Sequence, residues 1–392
     1  MIVVEALFWS SILLLLYPYL IYPALIYAFS RAFPQHRERT VYHNDWPSVT
    51  LIISAYNEAT VIAEKIRNAL ALDYPADRLQ ILVISDASDD GTDEIVKELG
   101  DVDPRVGLFR QQERKGKTSG LNAGISQLQS ELIVFSDANA MYREDAIKQL
   151  TKHFKDQRVG YVVGAALYNE QHDSLTNESE DTYWSYELKL KQWESDFYSV
   201  VGGDGAIYAI RRELYRPLAE DDINDFINPL QIIAGDHLGL FEPDAVCFED
   251  TAEDFTREFK RKRRIVNRSW RAFSKSWSAF SLTRHGRFLF TLISHKVIRW
   301  FSFLFIITAF LTSVILTASA GAPFYALALF GILACFALVA VGRELDKRRR
   351  AMPKLVSIAY YFFFVNYYAL LGIIDNFRGV KHVTWEHVRD SK

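Results

Sequence analysis

Three short apolar runs rich in β-branched residues constrain the middle of this chain: Ser48–Ser54 (Ser-Val-Thr-Leu-Ile-Ile-Ser), Leu79–Ile84 and Leu132–Phe135. Each is apolar throughout rather than alternating, and helical patterns stand between them. Val61, Ile62, Ile66, Ala69 and Leu70 share one face after the first run, Thr92–Leu99 follows the second, and a short strand at Val106–Arg110 and a helix around Ser119–Leu128 lead to the third. Such strands alternating with helices predict an α/β fold whose mostly parallel sheet is covered on both faces. Ligands of such sheets bind beyond the carboxyl ends of the strands. There the three runs end in polar clusters: Asn57/Glu58, Asp86/Asp89/Asp90 and Asp137/Asn139.

The ends of the chain are of a different kind. Charges are dense between about residues 45 and 275, whereas Leu7–Ser30 contains no charge and is long enough to cross a bilayer. A signal peptide is disfavoured by Glu5 and the lack of a basic leader. Arg31, Arg37 and Arg39 follow the run, which places its C-terminal end in the cytoplasm. Trp300–Ala320 and Phe324–Val341 read as two more spans, and the loop after them, with Lys347, Arg348, Arg349 and Arg350, is expected to be cytoplasmic. A further apolar segment, Leu355–Ile374, precedes a tail with Arg378, Lys381 and Arg389: if it spans, the basic tail lies outside, and if it is re-entrant or interfacial, the tail stays inside. Residues Arg284–Arg299 mix apolar and basic side chains in the manner of a helix lying in the interface plane, or of an ordinary cytoplasmic helix. Three regions follow: an anchor and juxtamembrane segment over 1–44, a cytoplasmic domain over 45–280, and an interfacial and transmembrane region over 281–392. A net charge of -3 gives no case for nucleic acid. The two cysteines, Cys247 and Cys335, form neither a disulfide framework nor a zinc motif.

Asp86 and Asp137 each sit directly at the end of an apolar strand, where carboxylates reach a shared crevice. A hard cation such as Mg²⁺ or Mn²⁺ takes oxygen ligands there, and Asp137 with Asn139 has the spacing to supply them. Asp89, Asp90 and Thr92 have the alternative role of capping the next helix. Arg114-Lys115-Gly116-Lys117-Thr118 ends like a phosphate-binding loop, but Gln111 stands where that loop needs a glycine. Lys117 remains available to balance phosphate charge, or is a solvated lysine ahead of a helix. Trp184, Tyr186 and Trp193 lie on a helix-like segment as sugar-stacking faces or as core. His172, His237 and His285 have no partner ligands in the sequence.

The ordered set Ala55-Tyr56-Asn57-Glu58, Ser85-Asp86-Ala87-Ser88-Asp89-Asp90-Gly91-Thr92, Lys117-Thr118-Ser119-Gly120-Leu121-Asn122-Ala123-Gly124 and Ser136-Asp137-Ala138-Asn139 resembles glycosyltransferase family 2. It is most similar to the membrane-bound synthases of chitin, hyaluronan and poly-N-acetylglucosamine. The likeness continues through Tyr183-Trp184 to Ser195, Gly205–Arg212, Asn224-Asp225-Phe226 and the tail Arg378-Gly379…Trp385. It implies a GT-A domain at the cytoplasmic face of a bacterial inner membrane, moving a sugar from a nucleotide sugar, UDP-linked, with inversion. The acceptor would be a growing polysaccharide or a lipid-linked molecule. Carried over by position, Asn57, Glu58 and Asp86 contact the nucleoside, Asp137 holds metal and diphosphate, and Asp225 is the catalytic base, with Asp221 and Asp222 as neighbouring competitors. The family's Gln-x-x-Arg-Trp gate falls on Arg261-Lys262-Arg263-Arg264-Ile265, which keeps an arginine at Arg264 but has Arg261 for Gln and Ile265 for Trp. That departure sets processive extension against single transfer onto a membrane lipid. Apolar helices lining a passage would let the chain assist export, with further copies or an export partner. The rival from another class is an inactive nucleotide-sugar sensor, which needs no base.

Overall fold

The computed structural model describes residues 1–35, 45–168, 177–249, 255–320 and 322–381, with the backbone alone for 168, 177–185 and 320. An eight-stranded sheet is built from β1 (Val49–Ala55), β2 (Leu79–Ser85), β3 (Val106–Arg110), β4 (Leu132–Asp137), β5 (Met141–Tyr142), β6 (Val159–Tyr168), β7 (Tyr208–Arg211) and β8 (Leu238–Glu249), in the order β3-β2-β1-β4-β7-β6-β8-β5. The strands from β3 to β4 are parallel, as their unbroken apolar sequences require, and every residue of β1 is buried. Beyond β4 the sheet is mixed, because β7 runs antiparallel to β4 and β6, and β5 antiparallel to β8. Phe135 and Tyr208 are partners across the β4/β7 ladder and stack at 4.5 Å between ring centroids, so the reversal is held by an aromatic cross-strand pair.

Helices cover both faces of this sheet. On one side α3 (Ile62–Leu70), α4 (Thr92–Val102) and α6 (Ala146–Thr151) bury Ile62, Ile66, Ala69, Val96 and Leu150. On the other, α5 (Lys117–Ile125), α8 (Asn224–Ala234), α9 (Phe255–Ser276) and α10 (Leu282–Leu292) bury Leu121, Leu230, Val266 and Phe288. The second core runs on without a break to Trp300, Ala369 and Ile373, at the root of the membrane region.

Among the described residues, four helical segments are long and apolar enough to cross a membrane, Ile2–Ala32, Ser302–Ser319, Pro323–Lys347 and Lys354–Phe377, marking a membrane protein. The first is α1 (Ile2–Leu16), one π-turn at Tyr17–Ile21, and α2 (Tyr22–Ala32). Only α1 lies along α12 (Ser302–Ala320); α2 instead docks on α7 (Asn177–Phe197), with Tyr27 on Trp193 and Phe29 on Phe197. The mixed segment expected to lie in the interface is α10, a π-turn at Ile293–Val297 and α11 (Ile298–Trp300), wedged between α2 and the domain with His285, Phe288 and Leu289 buried. A buried polar hub fastens the wedge: Glu194 Oε1 accepts from Tyr22 Oη at 2.7 Å and lies 2.6 Å from His295 Nδ1, while His295 Nε2 lies 3.0 Å from Glu187, which also pairs with Arg299. α13 (Pro323–Lys347) and α14 (Lys354–Phe377) are the last helices among the described residues, and α14 packs along α9 rather than only against its membrane neighbours.

Gly239 in β8 has no room for a side chain, since a Cβ there would fall 1.8 Å from Cζ of the fully buried Tyr161. Gly239→Ala is expected to destabilise the folded chain by about 1–3 kcal/mol or more through overpacking. A lowered midpoint of thermal unfolding against the wild type checks this.

Candidate active site

The first two strand ends are stitched to each other. Asn57 takes a left-handed conformation (φ 54°), which asparagine tolerates better than most residues. Its side chain donates to Asp89 Oδ1 at 2.8 Å and accepts from Asp89 N at 3.0 Å. The Glu58 N–H donates to Thr92 Oγ1 at 2.8 Å, and Asp90 accepts from the N–H groups of Ala59 and Thr92, both at 3.0 Å. Burial alone would raise the Asp90 pKa, but the hydrogen bond donated by the Thr92 hydroxyl, followed by those from the two N–H groups, holds it below its usual value. Asp89 and Asp90 thus serve the turn and the start of α4. Asn57 and Glu58 form the wall of the crevice.

Asp86, almost fully buried, faces the other way. Its Oδ1 accepts from Gln111 Nε2 at 2.6 Å, Lys115 N at 2.9 Å and Gly116 N at 3.0 Å. Burial raises its pKa, opposed by the Lys115 and Gly116 N–H groups. Gly116 needs its freedom here, with φ at +86°. The loop that Asp86 organises carries Arg114, whose guanidinium sits 3.8 Å from the ring centroid of Tyr56. Gln111, which blocks the phosphate-loop reading in sequence, is therefore a structural partner of Asp86.

The loop feeds α5, which lies close on β2: a Cβ at Gly120 or Gly124 would meet Ile84 at 2.7 Å. That close approach delivers Lys117, the first residue of α5, to Asp137 at the end of β4, Nζ to Oδ1 2.6 Å. Burial would raise the Asp137 pKa, but Lys117, then Arg261 and Lys65, hold it below its usual value. From the opposite side α3 clamps the turn after Asp137. The wholly buried Lys65 donates to the Ala140 carbonyl oxygen and sits 4.0 Å from the Tyr142 ring centroid. Asn68 bonds the Tyr142 backbone in both directions at 2.8 Å. Burial lowers the Lys65 pKa to about 7. Asn139 lies half-buried within this clamped turn, and its side chain makes no hydrogen bond among the described residues.

Asp225 begins α8 and enters the same space. The Cβ position of Gly205 lies 3.4 Å from Asp137 Oδ2 and 3.4 Å from Asp225 Oδ2, so both carboxylates face one small volume that this glycine leaves open. Asp225 Oδ1 is buried without a hydrogen-bond partner. Burial raises its pKa to about 6, with Asp204 and Asp137 adding repulsion and Lys117 and Arg268 opposing. The competing carboxylates are committed elsewhere. Asp221 pairs with Arg271, with Lys275 at 3.5 Å and with Lys381 at 3.2 Å, and Asp222 pairs with Lys275 at 3.0 Å. Asn224, which stands where the resembled family has an acid, turns inward and donates to Tyr208 Oη at 2.7 Å.

Several site residues escaped the sequence reading. Asp204 enters from the loop before β7 with Lys191 at 3.0 Å. Glu249, at the end of β8, has its pKa pushed up to about 8 by burial and by Asp137 and Asp204. On α9 the arginine that penetrates is Arg268, whose guanidinium donates to Thr118 Oγ1 at 3.2 Å and to the carbonyl oxygens of Asp221 and Asp222. Arg261 is largely exposed on that helix, its charge acting on Asp137 and Glu249, and Arg264 lies half-buried one turn on. The side chain of Trp184, and the residues His172 and Trp385, lie outside the described residues. A strand-end position was the only signal available for Glu249, and a buried lysine such as Lys65 leaves none in an amphipathic helix.

Fold and site together define a GT-A glycosyltransferase domain. Residues 50–218 match the family model of Glycosyl transferase family 2, and the chain carries a domain of that family. Among curated relatives, "Probable glycosyltransferase YdaM" of Bacillus subtilis is 28% identical over 240 residues, 57% of this chain and 55% of that protein. A beta-monoglucosyldiacylglycerol synthase of Trichormus variabilis is 29% identical over 207 residues, 51% of this chain and 42% of its own. A poly-beta-1,6-N-acetyl-D-glucosamine synthase of Staphylococcus aureus is 31% identical over 117 residues, 30% of this chain and 28% of its own. The chain thus spans about half or less of the length of these relatives. Among solved structures, the mannosyltransferase PcManGT of Pyrobaculum calidifontis, in complex with GDP-Man and Mn²⁺, superposes with a TM-score of 0.72 over 95% of this chain and 99% of that one, at 22% identity. At that identity the likeness is one of fold.

The site carries a stability consequence with a definite sign. The folded-state pKa of Asp225, about 6, lies above its ordinary 3.8, so its contribution falls as pH rises through 6 and the ionised carboxylate costs stability at pH 7. Asp225→Asn is expected to raise stability at pH 7 by on the order of 1–2 kcal/mol, and by less at pH 5. Thermal unfolding at both pH values measures it.

Proposed function

We propose that this chain transfers a sugar, with inversion, from a nucleoside-diphosphate sugar to a hydroxyl of an acceptor held at the membrane surface. The observation that carries this reading is the pair Asp137 and Asp225, facing one volume in opposite electrostatic states. Asp137 is kept ionised by cations, as a carboxylate that holds a metal ion must be. Asp225 has no cationic partner within hydrogen-bonding reach among the described residues and titrates near neutrality, as a general base should. The acceptor oxygen bonds the anomeric carbon as the bond from that carbon to the diphosphate oxygen breaks. The nucleoside diphosphate leaves with the electron pair, and the hydroxyl proton passes to Asp225.

The donor's base is assigned to the pocket of Asp86, Asn57, Glu58, Tyr56 and Arg114, and its diphosphate to the neighbourhood of Lys117. A divalent cation fits the donors present, because Asp137 turns Oδ2 to the open volume and Asn139 has an uncommitted amide oxygen. Among the described residues no group of three or more His, Cys, Asp or Glu could hold a metal by itself, so Mg²⁺ or Mn²⁺ would need further oxygen ligands from phosphate and water. When bound, the ion supplies positive charge to the departing diphosphate. Asp137 and Asn139 hold it, and Lys65 and Asn68 keep their turn in place.

The acceptor's membrane setting is supported by Phe226, beside Asp225, whose ring centroid lies 6.0 Å from that of Trp300 at the foot of α12. With the basic loop after α13 on the domain side, the catalytic domain faces the cytoplasm from a bacterial inner membrane. A lipid-linked or growing polysaccharide is the acceptor in this reading. Single transfer onto a membrane lipid is the second, favoured by Ile265 in place of the gate tryptophan. GDP-sugars stand beside UDP-sugars as candidate donors, since the fold neighbour was solved with GDP-Man.

Nucleoside diphosphate release is measured with the membrane protein across UDP- and GDP-sugars, with Mg²⁺, Mn²⁺ or EDTA. One donor is expected to turn over and EDTA to stop it. Asp225→Asn is expected to lower kcat by about 10²–10⁴-fold while donor binding is kept. In the wild type, kcat/KM is expected to rise with pH through about 6 as Asp225 loses its proton. Full turnover by Asp225→Asn overturns the base assignment, and product size separates polymer from single transfer.

A further inference from the structure

We infer that α14, although apolar enough to cross a bilayer, does not cross it but lies obliquely at the interface, under the inner ends of the spanning helices. A helix antiparallel to α13 would carry Phe377 about 25 Å along the axis from Tyr360, towards the turn at Ala322. The contacts run elsewhere. Tyr360 Oη donates to Asp346 Oδ2 at 2.8 Å, at the charged end of α13. Phe363 and Tyr367 both pack on Phe303, the second residue of α12, at 5.2 and 5.1 Å between centroids. Asn366 accepts from Tyr19 Oη at 3.0 Å, in the π-turn where α1 ends. Further along, Asp375 takes two hydrogen bonds of 2.6 Å from Arg263, and Phe377 meets Trp270 at 6.3 Å, both partners on α9. α14 therefore touches α1 and α12 near one end of each, and α13 from Asp346 to Phe336, its middle, where Phe363 lies 5.8 Å away between centroids. It does not follow α13 on to the turn at Ala322, and its far end rests on the catalytic domain.

The partner helix fixes the depth. α9 follows α14 from Phe255 beside Tyr360 to Asn267 beside Gly372, whose Cβ position would lie 2.5 Å from the Arg263 carbonyl oxygen. Over that stretch α9 bears Arg257, Lys260, Arg261, Lys262, Arg263 and Arg264, a density of charge that hydrocarbon does not accept. Lys381, just past α14, reaches Asp221 of the catalytic domain at 3.2 Å, which places the chain leaving α14 on the domain's side. The exposed Leu355, Ile358 and Phe377 then face the boundary between headgroups and acyl chains, with basic residues beside it to meet anionic lipid. Three segments cross: α1, α12 and α13.

Single cysteines read by a membrane-impermeant maleimide on sealed vesicles of both orientations test this on the full chain, without reference to any activity. The background is Cys335→Ser, Cys247 being buried. Lys97→Cys on α4 reports the catalytic side and Ala322→Cys the opposite side. Lys354→Cys, before α14, and Arg378→Cys, after it, are expected to label from the same face as Lys97→Cys. Labelling of Arg378→Cys only from the face of Ala322→Cys overturns the proposal. Val380→Cys repeats the reading should Arg378→Cys fail to fold.

Discussion

The site rests on carboxylates that have been brought together out of water. Asp137, Asp204, Asp225 and Glu249 come from four separate elements, and burial first, with repulsion among them added, raises the pKa values of Asp225 and Glu249. The fold tolerates this because cations are built in beside them: Lys117 from α5, Lys65 from α3, Lys191 from α7, and Arg261 and Arg268 from α9. Each arrives by a separate packing decision. Lys117 reaches Asp137 only because Gly120 and Gly124 let α5 sit close on Ile84. The division of charge that follows, one carboxylate held ionised and one left near neutrality, is what sugar transfer asks of such a pair.

The same elements tie the site to the membrane region. Arg268 holds the loop before Asp225 through the carbonyl oxygens of Asp221 and Asp222, and on the same helix Arg263 and Asn267 grip α14. Phe226, next to Asp225, packs towards Trp300, which belongs to the core that continues into the membrane helices. Glu194 in α7 accepts from the Val201 N–H at 3.1 Å, four residues before the glycine between the two carboxylates, and it also holds Tyr22 and His295. The catalytic domain and its anchors therefore share one packed interior.

Much of this was legible in the sequence, for a physical reason. A strand buried on both faces must be apolar throughout, and a helix crossing lipid must be apolar for its whole length, so β1, β2, β4, α12 and α13 announce themselves. Carboxylates placed directly after such strands have few places to go but the crevice, which is why Asp86 and Asp137 could be named. Asp225 needed the resemblance to be singled out from Asp221 and Asp222, because all three stand in one short acidic segment. The structure separates them by giving basic partners to Asp221 and Asp222.

What tertiary structure alone decided is what depends on partners remote in the chain. The antiparallel β7 has too short a run to declare its direction, which is set by pairing with β4. Lys65, Asp204, Glu249 and Arg268 carry ordinary local sequence, and only the folded neighbourhood turns them into site residues. The apolar sequence of α14 fits a span and an interfacial helix equally well, because hydropathy reports what a helix can be buried in and not which neighbour buries it. The pairing of Asp375 with Arg263, more than a hundred residues earlier in the chain, makes that choice.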